Sequence, residues 1–430
     1  MVVETKLSPS ALDWRAIGAG FTGTVIEYFE FGVYAYMAAV ISPIFFPSAD
    51  PVASLLATLA VFATSFFMRP VGGVLLGRWG DRLGRRRILL VTVIGMGVST
   101  ALIGILPSYA AIGALSPLLL VLARLAQGFF AGGEITGAAA FVAESAPASR
   151  RGFAAAFVPA GAALGGALAA ITAGTTSLVL GEAAMAEWGW RVPFLAAVPL
   201  IVVSIWLRSR MEETPVFDAA ETAGKTTKTP LRDVLRDSKV PLAQMLGISF
   251  GLNVGYWVGL IYMNIYLTQV QGFPAQTVFW MVAGVNLMLT ALTPLGGRFS
   301  DRFGRRRTLL IGFVGYGVLV LPMMLLMGTG SVVAATIAFA ILALPFVFVQ
   351  GSSYSAYTEL FSTRVRYTGM SLSFNIAAIL GGGVMPYLAT WLVAATGSEI
   401  APGWLLVAAA MISCLTLATM RETSRQSLRS

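Results

Sequence analysis

The chain has 430 residues, 57% of them hydrophobic and only 11% charged, with a mean hydropathy of +0.79. Soluble domains carry about 25% charged residues, so this chain could not cover a soluble surface, and in lipid its backbone must close its hydrogen bonds within helices or a sealed barrel. No histidine and a single cysteine, Cys414, exclude an intramolecular disulfide and any Cys/His metal site. The net charge of +9 reports membrane topology, because its distribution is one-sided.

Apolar runs of about 20 residues without period-2 alternation suit helices that cross about 30 Å of hydrocarbon. Twelve spans are predicted, at 17–42, 54–77, 88–107, 115–143, 152–180, 189–207, 241–269, 275–297, 308–328, 332–358, 367–396 and 403–420. The implied fold class is an all-α membrane protein with twelve transmembrane helices in two six-helix halves. Residues 1–16 form an N-terminal segment, 17–207 the first half and 208–240 a polar linker; 241–420 form the second half and 421–430 a C-terminal segment. All but three of the 29 basic residues fall in the termini or in alternate connecting segments; the exceptions are Arg69, Arg124 and Arg191. Basic segments stay in the cytoplasm. The expected placement is therefore multi-pass in a bacterial-type cytoplasmic (inner) membrane with both termini cytoplasmic. Nucleic acid is not expected as a partner; the lipid bilayer is.

Ionisable residues inside spans are expensive and usually functional. The first span contains Glu27 and Glu30, the second Arg69, and the fourth Arg124 and Glu134. The cores of spans seven to twelve contain no Asp, Glu, Lys or Arg. At about 1.5 Å of rise per residue, Glu27 lies about 15 Å deep, near the midplane. Glu27, Glu30 and Tyr34 share a helix face at i, i+3 and i+7. Arg124, Gln127, Ala131 and Glu134 form a similar stripe, so the first, second and fourth spans can bring these groups to one cavity. Three carboxylates against two guanidiniums leave one carboxylate in excess, and a desolvated carboxylate can carry a proton near neutral pH. Glu27, Glu30 and Glu134 are therefore the candidate proton-coupling residues. Arg69 and Arg124 are the candidate ligands for a substrate carboxylate, which a bidentate guanidinium suits well. Gln127, Tyr34, Asn253, Tyr256, Trp257, Gln350, Tyr354 and Asn375 are candidates to line the cavity.

Residues 77–87 read Gly-Arg-Trp-Gly-Asp-Arg-Leu-Gly-Arg-Arg-Arg, and residues 297–307 read Gly-Arg-Phe-Ser-Asp-Arg-Phe-Gly-Arg-Arg-Arg. Each run follows the second span of its half. A weaker echo pairs Glu144–Gly152 with Glu359–Gly369. Two parallel six-helix repeats with a midplane site are one of the recurrent transporter architectures. The first run resembles the signature loop of the major facilitator superfamily. The combination of Glu27-Tyr28-Phe29-Glu30-Phe31-Gly32, Met68-Arg69-Pro70, Arg124-Leu125-Ala126-Gln127-Gly128, Trp188-Gly189-Trp190-Arg191 and Arg364-Val365-Arg366-Tyr367-Thr368-Gly369 resembles its metabolite:H⁺ symporter family. Where that family often has Trp-Tyr-Asp, this chain has Tyr28-Phe29-Glu30, a departure that bears on pocket shape.

The resemblance implies alternating access and a role for Asp81 as a latch onto the other half at the start of the eleventh span, with Arg82, Arg85 and Glu144 as its ion-pair partners. Asp301, Arg302 and Arg305 are the gating counterparts in the second repeat. The expected function is proton-coupled import of a small organic acid by a monomer, with no cofactor and no enzymatic activity. Two alternatives stay open. One is symport of a zwitterion such as proline or betaine, with Tyr28, Trp257 and Tyr354 available to cage a quaternary ammonium; the other is proton-coupled export.

Overall fold

Apolar patterning becomes helix along almost the whole chain. The computed structural model describes residues 11–83, 85–132, 134–209, 230–362 and 365–424, with the side chains of 77–78, 80–87, 89, 204, 206–209 and 230–233 outside the description. Most of the predicted linker, together with Gly84 and Arg364 of the motifs above, lies outside the described residues, as do the side chains of Asp81, Arg82 and Arg85.

Among the described residues ten helices are long and apolar enough to cross a membrane, and two shorter apolar ones complete twelve spans. The first half comprises α1 (Trp14–Phe45), α2 (Pro51–Leu83), α3 (Arg85–Ile105), α4 (Leu115–Phe130, resumed as Glu134–Glu144), α5 (Phe157–Ala184) and α6 (Arg191–Val203). The second comprises α7 (Lys239–Val270), α8 (Ala275–Phe303), α9 (Arg305–Met327), α10 (Val332–Leu360), α11 (Arg366–Thr396) and α12 (Ala401–Thr419). Asp13 starts α1 by accepting the backbone N–H groups of Arg15 and Ala16 at 2.9 and 3.1 Å, which satisfies donors no helical carbonyl can reach.

Within each half the packing repeats. α1 lies on α5 as α7 lies on α11, and α2 on α4 as α8 on α10. Hydrophobicity does not drive helices together in lipid, so close backbone approach has to. A Cβ at Gly128 would collide with the Ser65 carbonyl of α2, and one at Gly165 with the Val25 carbonyl of α1. The halves meet along α5 against α8 and α2 against α11, a pairing that again follows the repeat.

The second signature run departs from its expected form as a loop. α8 continues through Arg298, Asp301 and Arg302 to Phe303, and the chain turns only at Gly304, whose φ of +102° is open to glycine at little strain. The polar residues of the run thus sit on a rigid helix end.

Two spans are locally widened. In α7, i→i+5 bonds run from the Tyr262 amide to the Trp257 carbonyl at 2.9 Å and from the Gln271 amide to the Tyr266 carbonyl at 3.0 Å. α11 widens over Ile379–Val384, which contains Gly381, Gly382 and Gly383. Such bulges re-aim side chains and recur at functional sites; here they bring Trp257 and the glycines against Phe66 of α2.

Candidate transport site between the two halves

Glu27, Glu30, Arg69, Arg124 and Gln127 are all buried, none more than 3% exposed. Arg69 donates to Glu27 Oε1 through Nη2 at 2.5 Å, a direct ion pair between α2 and α1. The guanidinium also lies over the rings of Phe31 and Phe66, at 4.5 and 5.1 Å from their centres.

Arg124 is held differently. Its Nη1 donates to Gln127 Oε1, one turn along α4, and its Nη2 donates to Ser65 Oγ at 2.8 Å and to the Phe62 carbonyl at 3.2 Å. Tyr34 lies flat beneath it at 4.2 Å, with Phe62 at 4.9 Å. The Tyr34 hydroxyl is engaged with the Thr58 carbonyl at 3.1 Å, so Tyr34 offers its face rather than its hydroxyl. Among the described residues no carboxylate pairs directly with Arg124. Glu30 has no direct cation either: Oε2 accepts from Thr100 Oγ1 at 2.9 Å, and Oε1 has no hydrogen-bond partner. Thr100 belongs to α3, an element the sequence reading had left out of the site.

Glu134 opens the resumed part of α4 and is half-buried, beyond the break at Ala131 and Gly132. The stripe expected from Arg124 to Glu134 is therefore interrupted, because the helix ends at Phe130 and resumes at Glu134.

The aromatic candidates do come together. Tyr28 stacks on Trp257 with ring centres 6.0 Å apart, and Tyr256 meets Tyr28 edge-on at 5.2 Å. Phe66 and Phe62 close on Trp257 at 5.2 and 5.3 Å, with Phe31 at 6.1 Å. Tyr354 faces Tyr28 from α10. The result is an aromatic box across the two halves, with the Glu27–Arg69 pair at its edge.

The neutral amides are spread more widely. Asn253 and Asn375 donate to carbonyls of their own helices, Ser249 and Ser371, each at 2.8 Å. Gln350 accepts from Thr293 Oγ1 at 3.5 Å, between α10 and α8. Tyr256 donates to the Ala162 carbonyl at 3.2 Å and Asn264 to the Tyr36 carbonyl at 3.2 Å, so both tie α7 to the first half.

A second cluster sits at the arginine-rich end, where each half grips the other. Asp301 accepts the backbone N–H groups of Gly152 and Phe153 at 2.8 and 2.9 Å. Arg305 bonds Asp301 at 2.8 Å and Glu359 at 3.1 Å, and Arg151 reaches Glu359 at 3.1 Å. Glu144, expected beside Asp81 but of like charge to it, pairs instead with Arg366, at the start of α11, at 2.5 Å. Arg302 instead lies over the Phe303 ring at 5.3 Å. Glu359, Arg151 and Arg366 were not singled out as gate residues from sequence; their place in the Glu144/Glu359 echo was the available signal. Past α12, Glu422 accepts the amides of Arg305 and Arg306 at 2.8 and 3.2 Å, and Thr423 donates to Glu359 at 2.7 Å.

Two six-helix repeats, buried charge at mid-depth and a charged clasp at one end define a secondary transporter. The Major Facilitator Superfamily model matches residues 20–386. A proton:xylose symporter structure superposes with a TM-score of 0.76 at 18% identity, covering 96% of this chain and 97% of that one. The chain belongs to the major facilitator superfamily, within its metabolite:H⁺ symporter family. It is 36% identical to an inner membrane metabolite transport protein of Escherichia coli strain K12, over 99% of this chain and 98% of the relative. It is 35% identical to the proline/betaine transporter of the same strain, over 96% of this chain and 85% of the relative. Identity is also 35% to a glycine betaine/proline/ectoine/pipecolic acid transporter of Dickeya dadantii, over 96% and 84%. The protein is thus a multi-pass membrane transporter and not an enzyme.

Proposed function

We propose that the protein is a proton-coupled importer of a small zwitterion, one carboxylate and one charged nitrogen, of the proline or betaine kind. The observation that carries this is the aromatic box of Tyr28, Phe62, Phe66 and Trp257 beside the Glu27–Arg69 pair. Aromatic faces attract a quaternary or secondary ammonium, worth about 0.5–2 kcal/mol per well-placed ring, while a guanidinium takes the carboxylate. The names of the proline/betaine relatives support the same substrate class.

In this reading Glu30 carries the proton. It is a fully buried carboxylate with one unpartnered oxygen and no direct cation among the described residues. Neutralising it leaves Arg124 the uncompensated charge on α4, which favours arrival of the substrate carboxylate. Glu134 and Glu27 are the other candidates, Glu27 being engaged with Arg69. The arginine-rich end is cytoplasmic by the one-sided distribution of Lys and Arg. The Asp301, Arg305, Glu359, Arg151, Glu144 and Arg366 cluster is the gate at that end, and substrate release requires it to open.

The organic-acid reading keeps one supporting observation, the absence of a direct carboxylate partner for Arg124. Uptake into proteoliposomes under an inward proton gradient separates the two. Proline, betaine and ectoine are compared with citrate, 2-oxoglutarate and shikimate, with and without protonophore. Protonophore-sensitive accumulation of a zwitterion is expected. Accumulation of carboxylates alone would overturn the zwitterion reading, and extrusion alone would overturn import.

A further inference from the structure

Arg124 and Glu30 are joined by a chain of hydrogen bonds with a single direction. Arg124 Nη1 donates to Gln127 Oε1, Gln127 Nε2 donates to Thr100 Oγ1 at 2.7 Å, and Thr100 Oγ1 donates to Glu30 Oε2 at 2.9 Å. Thr100 and Gln127 are both fully buried. Every donor points from the guanidinium to the carboxylate, so the chain connects two charges that have no direct counter-charge among the described residues.

The Thr100 hydroxyl has a second acceptor, the Met96 carbonyl one turn back at 3.0 Å. A hydroxyl has one proton and two lone pairs, so it serves Glu30 or Met96 but not both. With Glu30 ionised, the proton points to Glu30. With Glu30 protonated, the acid can itself donate to Thr100 Oγ1, and the threonine proton rotates to Met96. Both states satisfy Thr100 without moving a helix.

We propose that Thr100 is a positioning residue whose hydroxyl rotates between Glu30 and the Met96 carbonyl, and so reports the protonation of Glu30 through Gln127 to Arg124. This rests on the reading of Glu30 as proton carrier. The groups that bear on Glu30 come from five helices. Glu27 lies on its own helix and Glu134 on α4, both like charges. Arg69 of α2 is engaged by Glu27, and Arg124 of α4 acts through the relay. Gly97 of α3 and Ile201 of α6 close the remaining side without charge.

Thr100→Val keeps the shape and removes the hydroxyl. The ionised acid then loses its charge-assisted donor, and the neutral acid gains relative weight. The alkaline limb of the profile of substrate KM against external pH is expected to move up by about one pH unit, while substrate counterflow at symmetric pH persists. Thr100→Ser should restore the wild-type profile. Gln127→Leu removes the donor that polarises the Thr100 hydroxyl and leaves Thr100 in place; it should move the same limb in the same direction, by less. Folding is checked by thermal unfolding in detergent, and if the valine variant does not fold, the serine and leucine variants decide. Glu30→Gln separates this inference from its premise. If Glu30→Gln still accumulates substrate against a gradient, the carrier reading and the relay both fail. If Glu30→Gln abolishes accumulation but Thr100→Val or Gln127→Leu keeps the wild-type pH profile, the carrier stands and the relay is overturned.

Discussion

The two halves repeat one helix arrangement but place charge at different depths. In the first half, Glu27, Glu30, Arg69 and Arg124 lie within α1, α2 and α4, sealed from solvent. In the second, the described charges that grip the other half are Asp301, Glu359 and Arg366, with Arg305 bracing Asp301 and Glu359, all at helix ends on the arginine-rich face. The mid-depth contribution of α7, α8, α10 and α11 is aromatic and amide instead, through Trp257, Asn286, Tyr354 and Asn375. At mid-depth the first half is thus charged and the second aromatic and amide, while both halves contribute to the clasp. Buried charge destabilises unless it is matched, and at mid-depth Glu27 finds its match, Arg69, within its own half.

The strongest way to break the comparison is to remove one member of the Glu27–Arg69 pair. Arg69→Met strands a buried carboxylate, and loss of one partner of a buried pair destabilises by about 3–5 kcal/mol. Thermal unfolding in detergent should show that loss, and accumulation should vanish. Glu27→Gln combined with Arg69→Met removes both charges and should recover most of the stability but none of the transport. Recovery of transport in the double variant would mean that the pair is structural only.

A smaller effect is expected at the clasp. Glu359 gathers Arg151, Arg305 and Thr423 from three separate elements. Glu359→Gln keeps the shape but weakens these charge-assisted bonds, each worth about 1.5–3 kcal/mol. The arginine-rich end should then open more often. A cysteine placed at Ala156, which abuts Gly297 across the interface, reports this in a Cys414→Ser background. Its labelling by a membrane-impermeant thiol reagent in inside-out vesicles is expected to rise about tenfold, equivalent to ~1.4 kcal/mol. An unchanged rate would remove Glu359 from the gate.

What the sequence disclosed follows the same division. The spans were legible because a bilayer demands long apolar helices, and the repeat was legible because eight positions of the signature run recur. The mid-depth charges stood out against an apolar background. Their pairing did not, since i, i+3 spacing places Glu27 and Glu30 on one face of α1 without saying which neighbour each meets. Thr100 had no signal at all. A threonine in a span ordinarily bonds its own i−4 carbonyl, as Thr100 also does with Met96. The polar run at 298–303 read as a loop because charge usually ends a span, yet it remains helical and turns only at Gly304.

The mildest test lies where the chain leaves α12. Burial alone would push the Glu422 carboxyl up, but the backbone amides of Ser424, Arg305 and Arg306 donate to it and hold it below the usual carboxylate range. It sits at the N-terminus of α9, where a negative charge is favoured. A carboxyl lowered on folding stabilises the protein above its unfolded value and loses that contribution as pH falls through the folded one. Wild type should therefore unfold at a higher temperature than Glu422→Gln at pH 7, by a margin equivalent to about 1 kcal/mol. The margin should shrink toward zero as the pH is lowered through and below the usual carboxylate range. Glutamine can still accept the same amides, so a margin that stayed constant with pH would mean the tail is held by shape and hydrogen bonding rather than charge. Among the described residues, the second half's charged share of the clasp would then rest on Asp301, Arg305, Glu359 and Arg366.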